Sequence, residues 1–373
     1  MPKLIDITGK AISGEWGQED LEGEGIPVLR TTNFTNEGVI RYDDVVTRHI
    51  TKKNIADKML RKGDIIIEKS GGSDKQPVGR VVYFEGEENK FLFNNFTGLL
   101  RVKDTKKWMP RYVFYSLYGN YINGGTKAFE NRTTGLHNLQ TDSYVMATEV
   151  RDVTLDEQAQ IVNQLDCVLE LIAKHRKQFA FLDVLVKSRF IELFENRNYQ
   201  IEKLGAVCRK ITDGTHKTPT YLDEGITFIS AKNIVNGELD FTDIKHISEE
   251  EYQEIQKRCQ TDIFDILLSK SGSLGSPVIV KTKEKLGLFE SLAVLKYDRD
   301  RLLPEFLCEQ LKTDRVQRQF KTGTKGVAIK HLHLGVIADT DIIVPPLDEQ
   351  KTFAAFVAEV DKSKHFGELE VAA

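Results

Sequence analysis

Between Leu155 and Asn198 apolar residues recur in a four-three alternation, at Ile161, Leu165, Val168, Ile172, Phe179, Leu182, Val186 and Leu193, with neither proline nor glycine in the stretch. That spacing predicts a long helix whose seam meets another helix. A second stripe, Val162, Leu169, Leu185, Phe190 and Phe194, widens the apolar face beyond what one partner needs. About forty helical residues at ~1.5 Å each make a spacer of roughly 60 Å. His175 falls on the seam and is expected to be packed, and Arg189 to snorkel or pair with a carboxylate.

On either side the pattern changes to short apolar runs between turn residues. Lys62-Gly-Asp-Ile-Ile-Ile-Glu-Lys-Ser-Gly-Gly72 reads as a buried strand ending in a glycine loop, and Pro110 is placed to open a helix. Residues 124–140 read as a loop. The same grammar returns about two hundred residues later, as expected of a duplicated unit. Glu24-Gly25-Ile26 recurs as Glu224-Gly225-Ile226, Asn33 as Asn233, and Asp64 to Gly71 as Asp265 to Gly272. Pro77-Val78 recurs as Pro277-Val278, Pro110 as Pro304, Gly135 near Gly326, and Leu155-Asp-Glu-Gln158 as Leu347-Asp-Glu-Gln350. Phe353, Val357 and Val360 repeat Ile161, Leu165 and Val168, but Lys364 then replaces an apolar position and Gly367 follows. The second helix is therefore expected to reach about half the length of the first, either as built or because its end is clipped.

Composition changes this picture little. At 373 residues, 40% hydrophobic and 29% charged, the chain suits two soluble domains and a connector. No apolar run reaches membrane-spanning length, and the start lacks the apolar core of a signal peptide, so the cytoplasm is expected. The four cysteines, Cys167, Cys208, Cys259 and Cys308, form no CxxC pair, which speaks against zinc or a disulfide framework. Net charge is −4, and counting by segment gives +1 for residues 1–154 and −1 for 199–346. Any nucleic-acid surface must be a local patch.

No catalytic constellation is complete. Gly71-Gly72-Ser73-Asp74-Lys75 and Gly323-Thr324-Lys325-Gly326 do not fit a phosphate-binding loop, and Val344-Pro345-Pro346 lacks the amide or carboxylate of an amino-methyltransferase motif. Asp64, Glu68 and Lys69 suggest a metal-dependent nuclease, yet the second copy puts Ser269 in place of Glu68, which fits a structural strand better. His331 and His333 have no third ligand nearby, and no metal or cofactor is expected. What remains is basic and polar. Gln310 to Lys330 carries Lys312, Arg315, Arg318, Lys321, Lys325 and Lys330 against Asp314 alone, which suits phosphates. Its counterpart, Lys127 to Gln140, holds Asn131, Arg132, Thr133, Thr134, His137, Asn138 and Gln140, including side-chain types that read base edges. A solvated loop is the alternative.

Over nearly its full length the chain resembles the specificity subunits of Type I restriction–modification enzymes. The resemblance rests on Ser13-Gly-Glu-Trp-Gly17 and Asp213-Gly-Thr-His-Lys-Thr-Pro219, on Lys69-Ser-Gly-Gly72 and Lys270-Ser-Gly272, on Leu-Asp-Glu-Gln at both helix starts, and on Val186-Lys-Ser-Arg-Phe-Ile191. It implies an α+β fold with two repeated target-recognition domains, 1–154 and 199–346, joined by long antiparallel coiled-coil-type helices, 155–198 and a short 347–373. Each domain would read half of a split target in double-stranded DNA. Methyltransferase subunits, and a restriction and translocation subunit, would dock on the scaffold and carry the chemistry, leaving this chain non-catalytic. In the first domain the candidate DNA contacts are Trp16, Arg30, Thr31, Asn33, Lys69, Ser70, Lys75, Arg80, Lys127, Arg132, Thr133, Thr134 and His137. In the second they are Thr215, His216, Lys217, Lys232, Asn233, Lys270, Ser271, Lys321, Thr322, Thr324, Lys325, Lys330 and His331. With the second helix short, Ile172, Phe179, Leu182, Val186, Phe190 and Phe194 are expected to be left for a partner subunit. The competing readings are a self-sufficient DNA methyltransferase or nuclease, and a coiled-coil adaptor without a DNA role.

Overall fold

The computed structural model describes residues 1–73, 76–133, 136–195, 197–322 and 331–372. The chain forms two compact units, Met1–Leu171 and Ile172–Ala373. Each mixes helix and sheet.

In the first unit the run Ile65-Ile-Ile-Glu68 is the middle of an antiparallel sheet, ordered Ile12–Ser13, Thr97–Leu100, Ile65–Glu68, Val81–Tyr83. Three consecutive isoleucines form a strand here because both faces are covered. Ile65 and Ile67 pack with Val81, Leu100 and the helix Pro110–Ile122, whereas Ile66 faces a second core with Val82, Phe84, Leu29 and Phe93. That second core lies against a sheet ordered Gln18–Glu19, Val46–His49, Ile26–Leu29, Leu92–Phe93, in which the last pair is parallel. Asp64 starts the central strand at 2% exposure, with both carboxylate oxygens 2.7 Å from the Arg101 guanidinium.

The second unit has the same strand order at the equivalent positions: Cys208–Asp213, Leu292–Tyr297, Ile266–Ser269, Pro277–Ile279. Ile266 and Leu268 face a core with Phe306 and Leu307 of the helix Pro304–Lys312, and Leu267 faces the other way, toward Phe228, Val278 and Leu288. Asp265 takes the part of Asp64, ion-paired to Lys296 at 2.6 Å and Arg299 at 3.2 Å. Gly14 and Gly214 sit at a close backbone crossing in their respective units. A Cβ at either would come within 2.2 Å and 2.1 Å, respectively, of a carbonyl oxygen.

Both Leu-Asp-Glu-Gln motifs have a physical reason. Gln158 is fully buried; its amide donates to the carbonyls of Lys107 and Val153 and accepts the Met109 N–H at 2.8 Å, just ahead of Pro110. Gln350, also fully buried, does the same with Arg301, Pro345 and Leu303, just ahead of Pro304. Each glutamine ties the start of one helix to the start of another.

The long helix is Leu155–Phe190, followed by a π-wound turn, Ile191–Glu195. Its first turns give Val162 to the core of the first unit, and its last give Val186, Phe190 and Phe194 to the core of the second. The C-terminal helix runs Leu347–Ala372, through Gly367. Glu349 pairs with Arg197, Phe353 packs on Phe194 and Phe190, and Lys364 reaches Asp183, so numbers rise on one helix as they fall on the other. This corrects the expected partner face. Val186, Phe190 and Phe194 are 5%, 2% and 1% exposed, filled by Phe306 and Phe353 of the same unit. Leu182 packs against that core as well, while Ile172 and Phe179 are half-buried. The bare apolar positions lie elsewhere on the helix, at Phe181 (60% exposed), Val184 and Leu185. His175 is half-buried beside Phe179, and Arg189 pairs with Glu192.

Candidate nucleic-acid interface

The segment 124–140, expected as a loop, contains an antiparallel hairpin, Glu130–Thr133 with Leu136–Leu139, in register Asn131↔Asn138 and Arg132↔His137. It adds to the strand Ser70–Gly72, so Ser70 stands opposite Asn138 and Gly72 opposite His137. The sequence carries only turn residues as a signal, Thr-Thr-Gly at 133–135, since Glu130-Asn131-Arg132 and Leu136-His137-Asn138 are poor strand formers. Glu130 anchors the base by accepting the Val78 N–H at 2.8 Å and meeting His137 Nδ1 at 3.2 Å. The hairpin thus brings Ser70, Arg132, Thr133 and His137 onto one three-stranded sheet. Lys127 is exposed in a 3-10 turn just before it.

Several expected DNA contacts serve the fold instead. Asn33 is 1% exposed; its amide accepts the Arg30 N–H at 2.9 Å and donates to the Asp44 carbonyl at 2.9 Å and the Arg41 carbonyl at 3.3 Å. Asn233 repeats this with Ser230, Asp240 and Asp243. Arg80 holds the buried Glu68 through two nitrogens, at 2.8 and 3.0 Å, and the carbonyls of Thr31 and Phe34. That pairing also explains Glu68: the second copy has Ser269 there, which hydrogen-bonds its own turn through the Ser276 N–H. Lys270 is 6% exposed on Asp213, and His137 is 6% exposed. Burial removes Asn33, Asn233, Lys270 and His137 from direct contact with DNA, and half-buried Arg80 is committed to Glu68.

Other positions remain reachable. Trp16 is half-buried with the Arg48 guanidinium 4.3 Å over its ring. Arg30 pairs with Asp44 and Lys232 with Asp243, both at 3.0 Å. Thr31 lies in a 3-10 turn, Lys69 and Ser271 are half-buried, and His216 faces Asp213 at 3.3 Å. The Thr215 hydroxyl accepts the N–H of exposed Lys217 at 3.2 Å. Lys75, Thr134, Thr324, Lys325 and Lys330 lie outside the described residues. His331 is half-buried.

In the basic stretch after the helix opened by Pro304, where a solvated loop was the alternative, Asp314–Thr322 is a helix. Val316 and Phe320 are buried, and Gln317 and Gln319 clamp it down through the carbonyls of Gly275, Leu311 and Asp341. Arg315, Arg318 and Lys321 are exposed, at i, i+3 and i+6, and so share the outer face with Thr322 beside them. The i, i+4 spacing of Val316 and Phe320 was the readable sign.

The remaining chemistry is sparse. Among the described residues no three His, Cys, Asp or Glu side chains are grouped to hold a metal ion. No helix among them is long and apolar enough to cross a membrane.

Residues 196–370 match the family described as Type I restriction modification DNA specificity domain. No curated protein matches the chain. Among solved structures it is similar to one described as the structural basis underlying complex assembly and conformational transition of the type I R-M system. That match has 16% identity and a TM-score of 0.53, and covers 100% of this chain and 93% of that one. A Type-I restriction-modification S subunit from M. genitalium matches at 16% identity and a TM-score of 0.48, covering 100% of this chain and 91% of the other. The first of these shows the fold.

Proposed function

Residues 196–370 make this chain a DNA specificity subunit of a Type I restriction–modification system, and we propose that both of its units, not the second alone, read DNA. One observation carries the reading. The first unit, outside the matched segment, has the strand order of the second, the same buried asparagine turn at Asn33 and Asn233, and the same glutamine-tied helix start. Two such units read a target in two parts, separated by a spacer. The long helix Leu155–Phe190 joins the two units along the chain.

In the first unit the reading element is the 130–139 hairpin, because a two-stranded ribbon fits the major groove. By residue type, Arg132 and Thr133 are its candidates for base contact. In the second unit Arg315, Arg318 and Lys321 track phosphates, which position the protein without specifying sequence. Methylation and cleavage belong to partner subunits. The methyltransferase docks on the bare side of the long helix, where Phe181, Val184 and Leu185 are 60%, 57% and 47% exposed at i, i+3 and i+4. The solved structure that this chain resembles in fold is described as one of complex assembly, which supports a docking partner. The system works in the cytoplasm, on double-stranded DNA.

Selection from random DNA, with the complex of this chain and its methyltransferase, tests the reading. Arg132→Glu is expected to erase the choice of bases in one half of the target. Arg315→Glu with Arg318→Glu is expected to weaken binding to all sequences alike. Unchanged binding in both variants overturns the assignment of these elements, and no binding by the unaltered complex favours the adaptor reading.

A further inference from the structure

Lys69 and Lys270 occupy the same place in their units. The Lys69 N–H donates to the Phe96 carbonyl and its own carbonyl accepts from Leu139, each at 2.8 Å; Lys270 does this with Ser291 at 2.7 Å and Leu332 at 2.9 Å. Ser13 and Asp213 are equivalent too, lying opposite Gly98 and Ala293 in matching registers. The chemistry differs. The Lys270 ammonium lies 2.5 Å from the Asp213 carboxylate and 3.1 Å from the Glu290 carbonyl, and Asp213 also takes Arg258 and His216. That cation is neutralised inside the protein.

The Lys69 ammonium meets the Ser13 hydroxyl at 3.0 Å, and among the described residues no carboxylate lies within ion-pair distance. The charged groups that act on it are already engaged: Asp142 with Lys10, and Lys58 with Glu15. Burial pushes the Lys69 pKa down, outweighing the attraction of Asp142, which is not in contact with it. It sits at the base of the hairpin, one residue before Ser70. A half-buried ammonium with no carboxylate in contact gains from an anion that completes it.

We infer that Lys69 is a phosphate anchor of the first unit and that the DNA backbone completes its ion pair, whereas Lys270 is an internal brace. This rests on the reading that the first unit binds DNA, and it adds that the two units grip phosphate at non-equivalent places. Lysine binds phosphate as a point charge and needs no further built geometry. Ser13→Asp would give the first unit the second unit's carboxylate and silence Lys69.

The test is DNA affinity of the methyltransferase complex against salt concentration, for the unaltered chain, Lys69→Gln, Ser13→Asp and Lys270→Gln, with thermal melting of each. One lost phosphate contact flattens the log–log salt slope by about 0.9, so the affinity deficit against the unaltered chain grows roughly three- to four-fold from 200 to 50 mM salt. Lys69→Gln and Ser13→Asp are expected to show that change, with the selected sequence unaltered. Lys270→Gln is expected to lower the melting temperature and leave the slope unchanged. An unchanged slope in Lys69→Gln, or an equal loss in a folded Lys270→Gln, overturns the inference. Failure of the unaltered complex to bind DNA would instead overturn the reading beneath it. If Ser13→Asp does not fold, Lys69→Gln decides alone.

Discussion

Truncating Phe353 to alanine should detach the C-terminal helix from the core of the second unit. The ring is fully buried, 5.5 Å from Phe190, 5.6 Å from Phe194 and 6.4 Å from Phe306, centroid to centroid. Phe194 and Phe306 are themselves 4.9 Å apart, so four rings from three helical segments and the π-wound turn share one cluster. Large-to-small substitution of a buried phenylalanine costs about 3–5 kcal/mol, from lost transfer energy and the cavity left behind. The cluster is held by the packing of rings at fixed angles, and its walls belong to rigid helices, so little collapse is expected and the upper half of the range applies. Urea unfolding monitored separately for each unit is the assay, because a chain with two units need not unfold in one step. With a slope of about 3 kcal/mol per molar urea, the transition of the second unit should move down by roughly 1–2 M, while that of the first stays in place. Phe181→Ala, at 60% exposure, should shift neither transition by more than a surface change does. A Phe353→Ala shift no larger than that of Phe181→Ala would refute the packing argument.

Three further outcomes follow from particular contacts. Gln350→Ala leaves the Leu303 N–H and the Arg301 and Pro345 carbonyls without their partner in a buried place; a loss of about 1–3 kcal/mol per stranded group is expected, read by the same urea assay. Burial pushes the Asp213 carboxyl up, but the hydrogen bond and charge of Lys270, together with Arg258, hold it below the usual carboxylate range. Its stabilising effect is therefore complete above the unfolded-state value near ~4 and is lost as pH falls through the depressed folded value, so the melting difference between Asp213→Asn and the unaltered chain should be full at neutral pH and shrink toward acid. Cys167 is exposed, whereas burial pushes the thiols of Cys208, Cys259 and Cys308 up to about 12; a thiol reagent at neutral pH should modify one cysteine rapidly in the folded chain and four after unfolding.

The parts legible in the sequence were those written twice. Asp64 and Asp265, Asn33 and Asn233, and Gln158 and Gln350 recur because each pair solves the same local problem: a buried carboxylate facing a cation, an amide closing a turn, an amide tying two helix starts. The same repetition misled the assignment of sites. Asn33, Asn233 and Lys270 have the chemistry of base and phosphate readers, yet the fold buries all three, and of the repeated lysines only Lys69 stays half-buried. The long helix shows the other limit. Periodicity gave its length and its apolar faces, but which stripe its own core fills depends on Phe306 and Phe353, more than a hundred residues away.

Whether both units read DNA is decided by mapping methylated bases. The chain is co-expressed with the methyltransferase subunit of its system, and modified adenines are located across a genome by single-molecule sequencing. The account predicts a split, asymmetric motif with a fixed spacer, whose one half changes when the hairpin residues 130–139 are exchanged. A single undivided motif, indifferent to that exchange, would contradict it.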